Sequence, residues 1–429
     1  MISNPRVTPT PSSLWLSTTR VCAFLAGFSI ATSTALLGFA TLGLLLAALN
    51  AKLKPQWREA LRQPFIQACV ALWLTYALSA AWSSAPAQAP GALVKLYPFL
   101  IAPALFAVFR FAGVAMALVI GCASGIALSV VLSIATWLAD TPLMFGLPGD
   151  WAVLRDRIYH NMFAGWLVLG CLVLLLTKAL SPKWRRIALV TLVLTLFDIY
   201  FLVQGRTGHA VLLILMCILL VLWDSRKGAV LALLTLVLIP TLLWLASDSL
   251  RSRYALAHEQ AQTLVDPSDL AEENSIGLRL AWLKGSWEIF GSAPWFGHGA
   301  GSLETEFRRV HGVSVDLSIV APPGVAPRNP HNSYAWLGVE VGVCGILVLL
   351  GVFAAAIRDA WQRPLAVRWS VILITGSIAI GSLANSFIFN RATGSGFVLL
   401  ICALLAWPQH SSSETPAANS AGSDAGLSP

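Results

Sequence analysis

The chain has 429 residues, of which 57% are hydrophobic and only 11% are charged, and its formal net charge is +8. This composition excludes a soluble globular protein and predicts a polytopic membrane protein. The apolar runs are about 17–25 residues long, which suits membrane helices and not the alternating strands of about ten residues that build membrane barrels. Because backbone groups cannot stay unpaired in hydrocarbon, we predict an all-α fold.

Cysteine usage and charge exclude further classes of protein. All seven cysteines fall within apolar runs, which argues against a disulfide framework and against a cysteine-ligated metal. The basic residues cluster in short segments beside the predicted spans, where they set helix orientation, so no nucleic-acid partner is expected. No cleavable signal is evident, since the first apolar stretch leads directly into a second.

Apolar runs separated by polar breaks predict about twelve transmembrane helices. In chain order they lie near residues 14–32, 34–50, 65–82, 92–109, 112–138, 161–177, 187–203, 209–223, 229–246, 332–356, 369–387 and 394–407. Residues 14–50 form either one long helix or two short ones. The predicted organisation is transmembrane helices within 1–246, an outer loop with amphipathic helices over 247–330, the last helices within 331–410, and a disordered cytoplasmic tail over 411–429.

Lysine and arginine clusters set the orientation of these spans. Basic residues fill the connections near 52–62, 178–186, 226–227 and 358–368, which the positive-inside rule places in the cytoplasm. The intervening connections then face outward, and they are 83–91, 139–160, 204–208, 247–330 and 388–393. Arg206, Arg279 and His331 all fall on this outer face, so the three positions are candidates for one site.

The outer loop is too long to be structureless without a role, and it contains helix signals. Asp266, Pro267 and Asp269 have the pattern of a helix start, with metal binding as the alternative. Further on, one helical stripe is predicted to comprise Arg279, Trp282, Leu283, Ser286, Trp287 and Phe290, and the opposite face Ala281, Lys284, Gly285 and Glu288. We predict an interfacial helix with Arg279 on its apolar, inward side.

His331 is the candidate general base. It opens a long apolar segment, and Pro327 and Pro330 restrict the residues before it to extended conformations. An imidazole with an ordinary pKa near 6.5 can take a proton from a hydroxyl nucleophile at neutral pH. The alternative is an interfacial histidine that only caps a helix.

Arg206 is a candidate anion ligand. Gly205 and Gly208 flank it between two apolar runs and allow a tight turn that leaves the guanidinium at the outer surface. A fixed fork of donors suits a phosphate. The alternative is an arginine that extends to the lipid head groups, and a second arginine, Arg279, at the same face favours the anion site.

The remaining polar residues give weaker signals. The other histidines are interpreted as loop or boundary residues, and they lack metal-ligand spacing. The segment Gly297–Ser302 is predicted to be a turn, with a phosphate loop as the alternative. Asp198 and Glu340 lie within apolar runs, about 12–14 Å along the helix from Arg206 and His331, and we interpret them as packing or positioning residues, with a proton path as the alternative.

The order of these features resembles the O-antigen ligase and polymerase superfamily, in which a polytopic protein carries a large periplasmic loop between late spans. His331 and Asn332, then nine residues, then Gly342–Gly345 are similar to the signature after that loop. Arg279 and Leu283 match an Arg-x-x-x-Leu element. The segment Pro294–Gly299 is similar to the Pro-x-x-Gly-x-Gly turn, and the resemblance extends over about residues 190–400.

This resemblance implies a GT-C-like fold in the bacterial inner membrane with an active site facing the periplasm. It implies transfer of O-antigen polysaccharide from undecaprenyl diphosphate to the lipid A-core oligosaccharide, by an inverting displacement without metal or other cofactor. Arg206 and Arg279 would hold the diphosphate, and His331 would deprotonate the acceptor. Arg328, Asn332 and Tyr334 would orient substrates, and membrane lipids are the other expected partners.

Two alternatives stay open. An O-antigen polymerase or a ligase that attaches glycan to protein would share this chemistry and differ in its acceptor. A transporter or flippase for lipid-linked glycan would also use outer-face arginines and deep acids such as Asp198 and Glu340, but it would form no covalent product.

Overall fold

The computed structural model describes residues 12–141, 151–203, 205–246, 251, 255, 275–311 and 329–407. Within these ranges the regular elements are helices, which confirms the all-α prediction. The first α-helices are Ser13–Thr32 (α1), Thr34–Ala48 (α2), Lys54–Ala60 (α3), Pro64–Ser79 (α4), Ala89–Lys95 (α5), Tyr97–Phe109 (α6), Val114–Leu138 (α7) and Arg157–Leu176 (α8). The later ones are Pro182–Phe197 (α9), Arg206–Trp223 (α10), Lys227–Ala246 (α11), Ser275–Ser292 (α12), Leu303–His311 (α13), Ser333–Ala360 (α14), Leu365–Gly381 (α15) and Arg391–Leu405 (α16).

Length and hydropathy identify a multi-pass membrane protein. Seven of the described helical segments are long and apolar enough to cross a bilayer, and they are Ser13–Thr32, Pro64–Trp82 (α4 with the turn after it), Ala89–Phe109 (α5 with α6), Val114–Leu138, Arg157–Leu176, Arg206–Trp223 and Ser333–Ala360. Shorter apolar helices are Thr34–Ala48, Lys227–Leu242, Leu365–Gly381 and Arg391–Leu405. The span expected near 187–203 corresponds to α9 and a π-helical turn, Asp198–Leu202. The total of about twelve spans and the GT-C-like arrangement stay predictions.

The first apolar stretch forms two helices, which resolves the alternative left open by hydropathy. Ser33 lies between them with extended backbone (φ −150°), and its hydroxyl accepts from the backbone N–H of Leu36 at 3.3 Å. Glycines then let α1 and α7 approach closely, because a Cβ at Gly121 would lie 2.1 Å from the carbonyl oxygen of Phe24. Small residues are the usual means of close helix packing in lipid.

The last helix lies at the centre of the protein. Every residue of α16 from Ala392 to Leu405 is buried, as expected of a helix that is apolar on all sides and surrounded by other helices. Its cap is local, since the Asn390 side chain accepts from the backbone N–H groups of Ala392 and Thr393.

The long helix α14 is interrupted at Gly342, whose backbone (φ 69°, ψ −161°) is not helical. The segment Pro294–Gly301, here called the docked turn, inserts its backbone at this break. The N–H groups of His298 and Gly299 donate to the carbonyls of Val339 and Glu340 at 2.9 and 2.8 Å. In return, the N–H of Val343 donates to the carbonyl of Pro294 at 2.8 Å.

Glycine is required on both sides of this contact. Gly342 and Gly297 have positive φ values of 69° and 63°, a region that L-residues rarely occupy. A Cβ at Gly342 would lie 2.4 Å from the carbonyl carbon of Trp295, and one at Gly297 would lie 2.5 Å from that of Glu340. The two glycine motifs of the sequence therefore form one backbone contact, and the turn expected at Gly297–Ser302 is confirmed.

Several sequence predictions concern residues that the structure does not describe. They are the helix start at Asp266–Asp269, the residues Pro327 and Arg328, and the tail at 411–429.

Candidate functional site

The candidate site lies where α8, α10 and α14 begin. Arg157 is the first residue of α8, Arg206 is the first residue of α10, and His331 lies two residues before the start of α14. Helix α12 carries Arg279 and Trp282 to the same place, since Trp282 stacks on the imidazole of His331. The three residues proposed from the sequence thus lie on one face of the protein.

The guanidinium groups of this site form a cationic cluster. Burial lowers the pKa of Arg279 most, and the neighbouring charges of Arg206 and Arg157 lower it further. An arginine nevertheless stays protonated in a protein, so mutual repulsion raises the free energy of the cluster. A bound anion would relieve this repulsion.

Helix dipoles reinforce the positive potential. Arg157 and Arg206 each occupy the first position of a helix, where the backbone already presents a partial positive charge that disfavours a cation. The N-terminus of a helix is a ready anion-binding element, and two such ends meet here beside three guanidinium groups. A phosphate group matches this arrangement in charge, and guanidinium groups can bind phosphate through paired hydrogen bonds.

Sequence analysis missed Arg157. The available signal was Asp156, whose carboxylate caps α8 by accepting from the backbone N–H groups of Ile158 and Tyr159 at 2.9 and 3.4 Å. That cap places Arg157 at a helix start on the predicted outer face, as the flanking glycines do for Arg206.

His331 is held in one orientation. Its backbone has a positive φ of 51°, and its N–H donates to Asn329 Oδ1 at 2.9 Å. The ring stacks on Trp282 with 5.2 Å between centroids and 11° between planes. Its Nδ1 lies 3.1 Å from Asn385 Oδ1, and since that oxygen can only accept, Nδ1 carries the proton and Nε2 keeps its lone pair.

Asn385 is a second residue that the sequence did not reveal. Its other amide atom, Nδ2, donates to Thr207 Oγ1 at 3.5 Å, so one amide links His331 to the residue that follows Arg206. Asn385 lies after α15 in a short segment without charge or motif, which is why no sequence signal marked it.

The surroundings of His331 keep its imidazole neutral. Burial lowers the pKa of His331 most, its hydrogen bond to Asn385 raises it, Arg279 lowers it, and Asp156 raises it, with a net decrease from the ordinary 6.5. A neutral imidazole at pH 7 has the protonation state that a general base requires.

The pH dependence of turnover should report this shift. Activity that needs neutral His331 rises with pH through its pKa, so half of the maximal kcat/KM should be reached below pH 6.5. Replacing Arg279 by glutamine removes a cation that lowers the pKa of His331. The acidic limb of the pH profile of kcat/KM should therefore move to higher pH. Arg279→Lys keeps the charge and should leave the limb in place. Identical limbs in the wild type and in Arg279→Gln would contradict the proximity of the two residues.

The predicted orienting residues have structural contacts. The Asn332 side chain caps α14 by accepting from Tyr334 and Ala335 N–H, both at 2.9 Å, and donates to the carbonyl of Leu383 at 2.9 Å. The Tyr334 hydroxyl donates to the carbonyl of Ala379 at 2.8 Å. A contact of either residue with substrate stays a prediction.

The stripe assigned to the loop helix was partly wrong. In α12 the buried face runs through Trp282, Gly285, Ser286 and Ile289, whereas Leu283 and Trp287 are 42% and 72% exposed. Arg279 is half-buried, as expected of the inward side. The error arises because an apolar residue at a bilayer boundary can face lipid as well as protein.

The interpretation of His160 as a boundary residue was also wrong. It is buried in α8, with Nε2 at 2.6 Å from Asp198 Oδ2 and Nδ1 at 3.1 Å from Ser129 Oγ. The next residue, Asn161, donates to the carbonyl of Val203 at 2.9 Å. Asp198 therefore has a partner that ties α8 to the π-helical turn before Arg206, in agreement with a positioning role.

Acids near the docked turn are paired within the protein. Glu304 bonds Arg308 at 2.9 Å, Glu306 bonds Arg309 at 2.7 Å, and Glu340 accepts from the hydroxyl of Tyr76. Among the residues that the structure describes, no three His, Cys, Asp or Glu side chains are grouped so as to hold a metal ion.

Comparison with known proteins identifies one family over part of the chain. Residues 190–350 match the family model described as O-Antigen ligase. This range includes Arg206, Arg279, the docked turn, His331 and the break at Gly342. No curated protein matches the chain.

Proposed function

Residues 190–350 match the O-antigen ligase family model, and from this premise we propose that the protein transfers O-antigen polysaccharide from undecaprenyl diphosphate to the lipid A-core oligosaccharide. The reaction takes place at the periplasmic face of the bacterial inner membrane. The observation that carries the proposal is the cationic cluster of Arg157, Arg206 and Arg279 beside a neutral, oriented His331.

The proposed reaction is a single displacement. Nε2 of His331 takes the proton of an acceptor hydroxyl, and the oxygen attacks the anomeric carbon of the lipid-linked sugar. The bond from this carbon to the diphosphate oxygen breaks, and the electron pair leaves with undecaprenyl diphosphate. Attack opposite the leaving group inverts the configuration of the anomeric carbon.

The arginine cluster supplies the charge that the leaving group needs. Negative charge grows on the diphosphate as the glycosidic bond breaks, and preorganised cations stabilise that charge in the transition state. Arg157 extends the pair of arginines predicted from the sequence to three. Asn385 acts through His331, since its amide oxygen sets the tautomer that exposes Nε2.

Direct assay of transfer tests this function. Purified protein is incubated with lipid-linked O-antigen and lipid A-core, and the product is resolved by gel electrophoresis and mass spectrometry. Attachment of glycan to lipid A-core supports the ligase. Elongated lipid-linked glycan would identify a polymerase, and glycosylated protein would identify the protein ligase. Movement of glycan lipid across proteoliposomes without any covalent product would identify a transporter.

Turnover should be unaffected by EDTA. Guanidinium groups take the part that Mg²⁺ plays in other diphosphate chemistry, and the acids Glu304 and Glu306 are each bonded to an arginine. The measurement is the rate of transfer before and after chelation. Loss of activity in EDTA that is restored by Mg²⁺ or Mn²⁺ would contradict a mechanism based on arginine alone.

A further inference from the structure

A charged cavity lies at the end of α14 opposite to His331. It has a volume of about 660 Å³, and the charged side chains that line it are Arg62, Arg110, Arg358, Arg363, Glu59 and Asp359. The cavity and His331 lie at opposite ends of α14, which has 28 residues. The cavity is thus separate from the site proposed above.

The charges of this cavity are unequal. Four arginines face two carboxylates, so the lining carries a net charge of 4 − 2 = +2. Both carboxylates are already engaged, since Glu59 bonds Arg110 at 3.1 Å and Asp359 Oδ2 accepts from the backbone N–H of Phe65 at 2.9 Å. The cavity therefore retains positive charge after its internal pairs are formed.

Arg363 is the most buried cation of this lining, with 6% of its surface exposed. Its Nη1 donates to the carbonyl of Trp407 at 2.9 Å, whereas its Nε has no hydrogen-bond partner among the residues that the structure describes. Burial lowers the pKa of Arg363 most, and the charge of Arg110 lowers it further. A buried charged donor without an acceptor is costly, and an anion in the cavity would remove that cost.

We propose that this cavity binds a phosphate group, supplied by the head group of an anionic phospholipid or by a free phosphate ion. Guanidinium groups bind phosphate through paired hydrogen bonds, and a volume of this size is typical of ligand sites. Arg62 and Arg358 belong to the connections that the positive-inside rule assigns to the cytoplasm. Basic pockets between membrane helices on that side are suited to anionic head groups.

Two binding measurements distinguish the sources of the phosphate. Native mass spectrometry of the protein in detergent, with added phosphatidylglycerol or phosphatidylcholine, reports binding of a head group. Titration of the same protein with inorganic phosphate reports binding of a free ion. Retention of phosphatidylglycerol over phosphatidylcholine supports the lipid, and saturable binding of phosphate without that selectivity supports the free ion. Binding of neither would overturn the proposal.

Substitutions of the arginines that line the cavity test whether the phosphate group binds there. Arg62→Gln with Arg358→Gln changes two exposed side chains of the lining and should weaken binding about 25-fold, from about fivefold per arginine. Arg363→Gln should weaken it as well, and the exposed pair keeps the test valid if Arg363→Gln does not fold. Arg185→Gln, an exposed arginine outside the cavity, is the control and should bind as the wild type does.

The arginines of the outer face could bind phosphate independently. Arg206→Gln removes one of them and leaves the cavity intact. Binding that is unchanged in the cavity variants and lost in Arg206→Gln would assign the anion to the outer face and overturn the proposal. Because this readout is binding and not transfer, its failure is distinct from failure of the proposed reaction.

Discussion

Replacing His331 by asparagine should lower the rate of transfer by about 10²–10⁴-fold, the usual cost of losing a general base. Asparagine is the informative substitution, because the backbone at His331 has a φ of 51° and asparagine tolerates this left-handed region better than other non-glycine residues do. The amide cannot take a proton at neutral pH, so the chemistry is removed while the local backbone is retained. The measurement is kcat for transfer from lipid-linked glycan by the purified protein.

A matched histidine controls for this substitution. His298 lies in the docked turn, where its Nε2 is 3.0 Å from Ser292 Oγ, and it is not placed in the reaction. His298→Asn should reduce kcat far less than His331→Asn does. Both variants should have the melting temperature of the wild-type protein. If His331→Asn retained near-normal kcat, the base would have to be sought elsewhere.

Arg206→Lys and Arg279→Lys should each lower kcat/KM by about 10–100-fold although the charge is kept. A guanidinium offers a planar fork of donors to two phosphate oxygens, whereas an ammonium is a point charge. Loss of a charged hydrogen bond typically costs about 1.5–3 kcal/mol, which corresponds to this range of rates. Arg157→Lys should behave in the same way, because Arg157 belongs to the same cluster.

An arginine that only extends to lipid head groups gives a different result. In that case lysine would substitute well, since its stem also reaches the membrane surface. Arg185→Lys, at an exposed position on α9, is the control and should keep full activity. Wild-type kinetics in all three cluster variants would show that these arginines anchor the protein and bind no diphosphate.

Much of the fold could be predicted because two signals act along the chain. Long apolar runs identify membrane helices, and basic clusters assign the connections to a side. For this reason Arg206, Arg279 and His331 could be placed together before any contact was known. Arg157 and Asn385 could not, because their positions depend on how α8 and the segment after α15 pack against the other helices.

The face of α12 shows a second limit of sequence patterns. The period of its apolar residues predicted a helix correctly, but it did not separate the buried Trp282 from the exposed Trp287. Water-soluble helices bury their apolar stripe, whereas a helix beside a bilayer has two apolar environments. Buried acids were easier to interpret, since Asp198 and Glu340 each required a partner and each has one in the structure.

The contact between the docked turn and α14 has a consequence for biogenesis. Until the turn arrives, the carbonyls of Val339 and Glu340 lack the N–H groups that His298 and Gly299 provide, and an unpaired carbonyl is costly within a membrane. The turn precedes α14 in the chain, so it is synthesised before the α14 residues that it contacts. The contact can form only once that part of α14 has been made. Arg279 lies on the helix that leads into this turn and His331 on the approach to α14. The proposed site is therefore completed only after α14 has been synthesised.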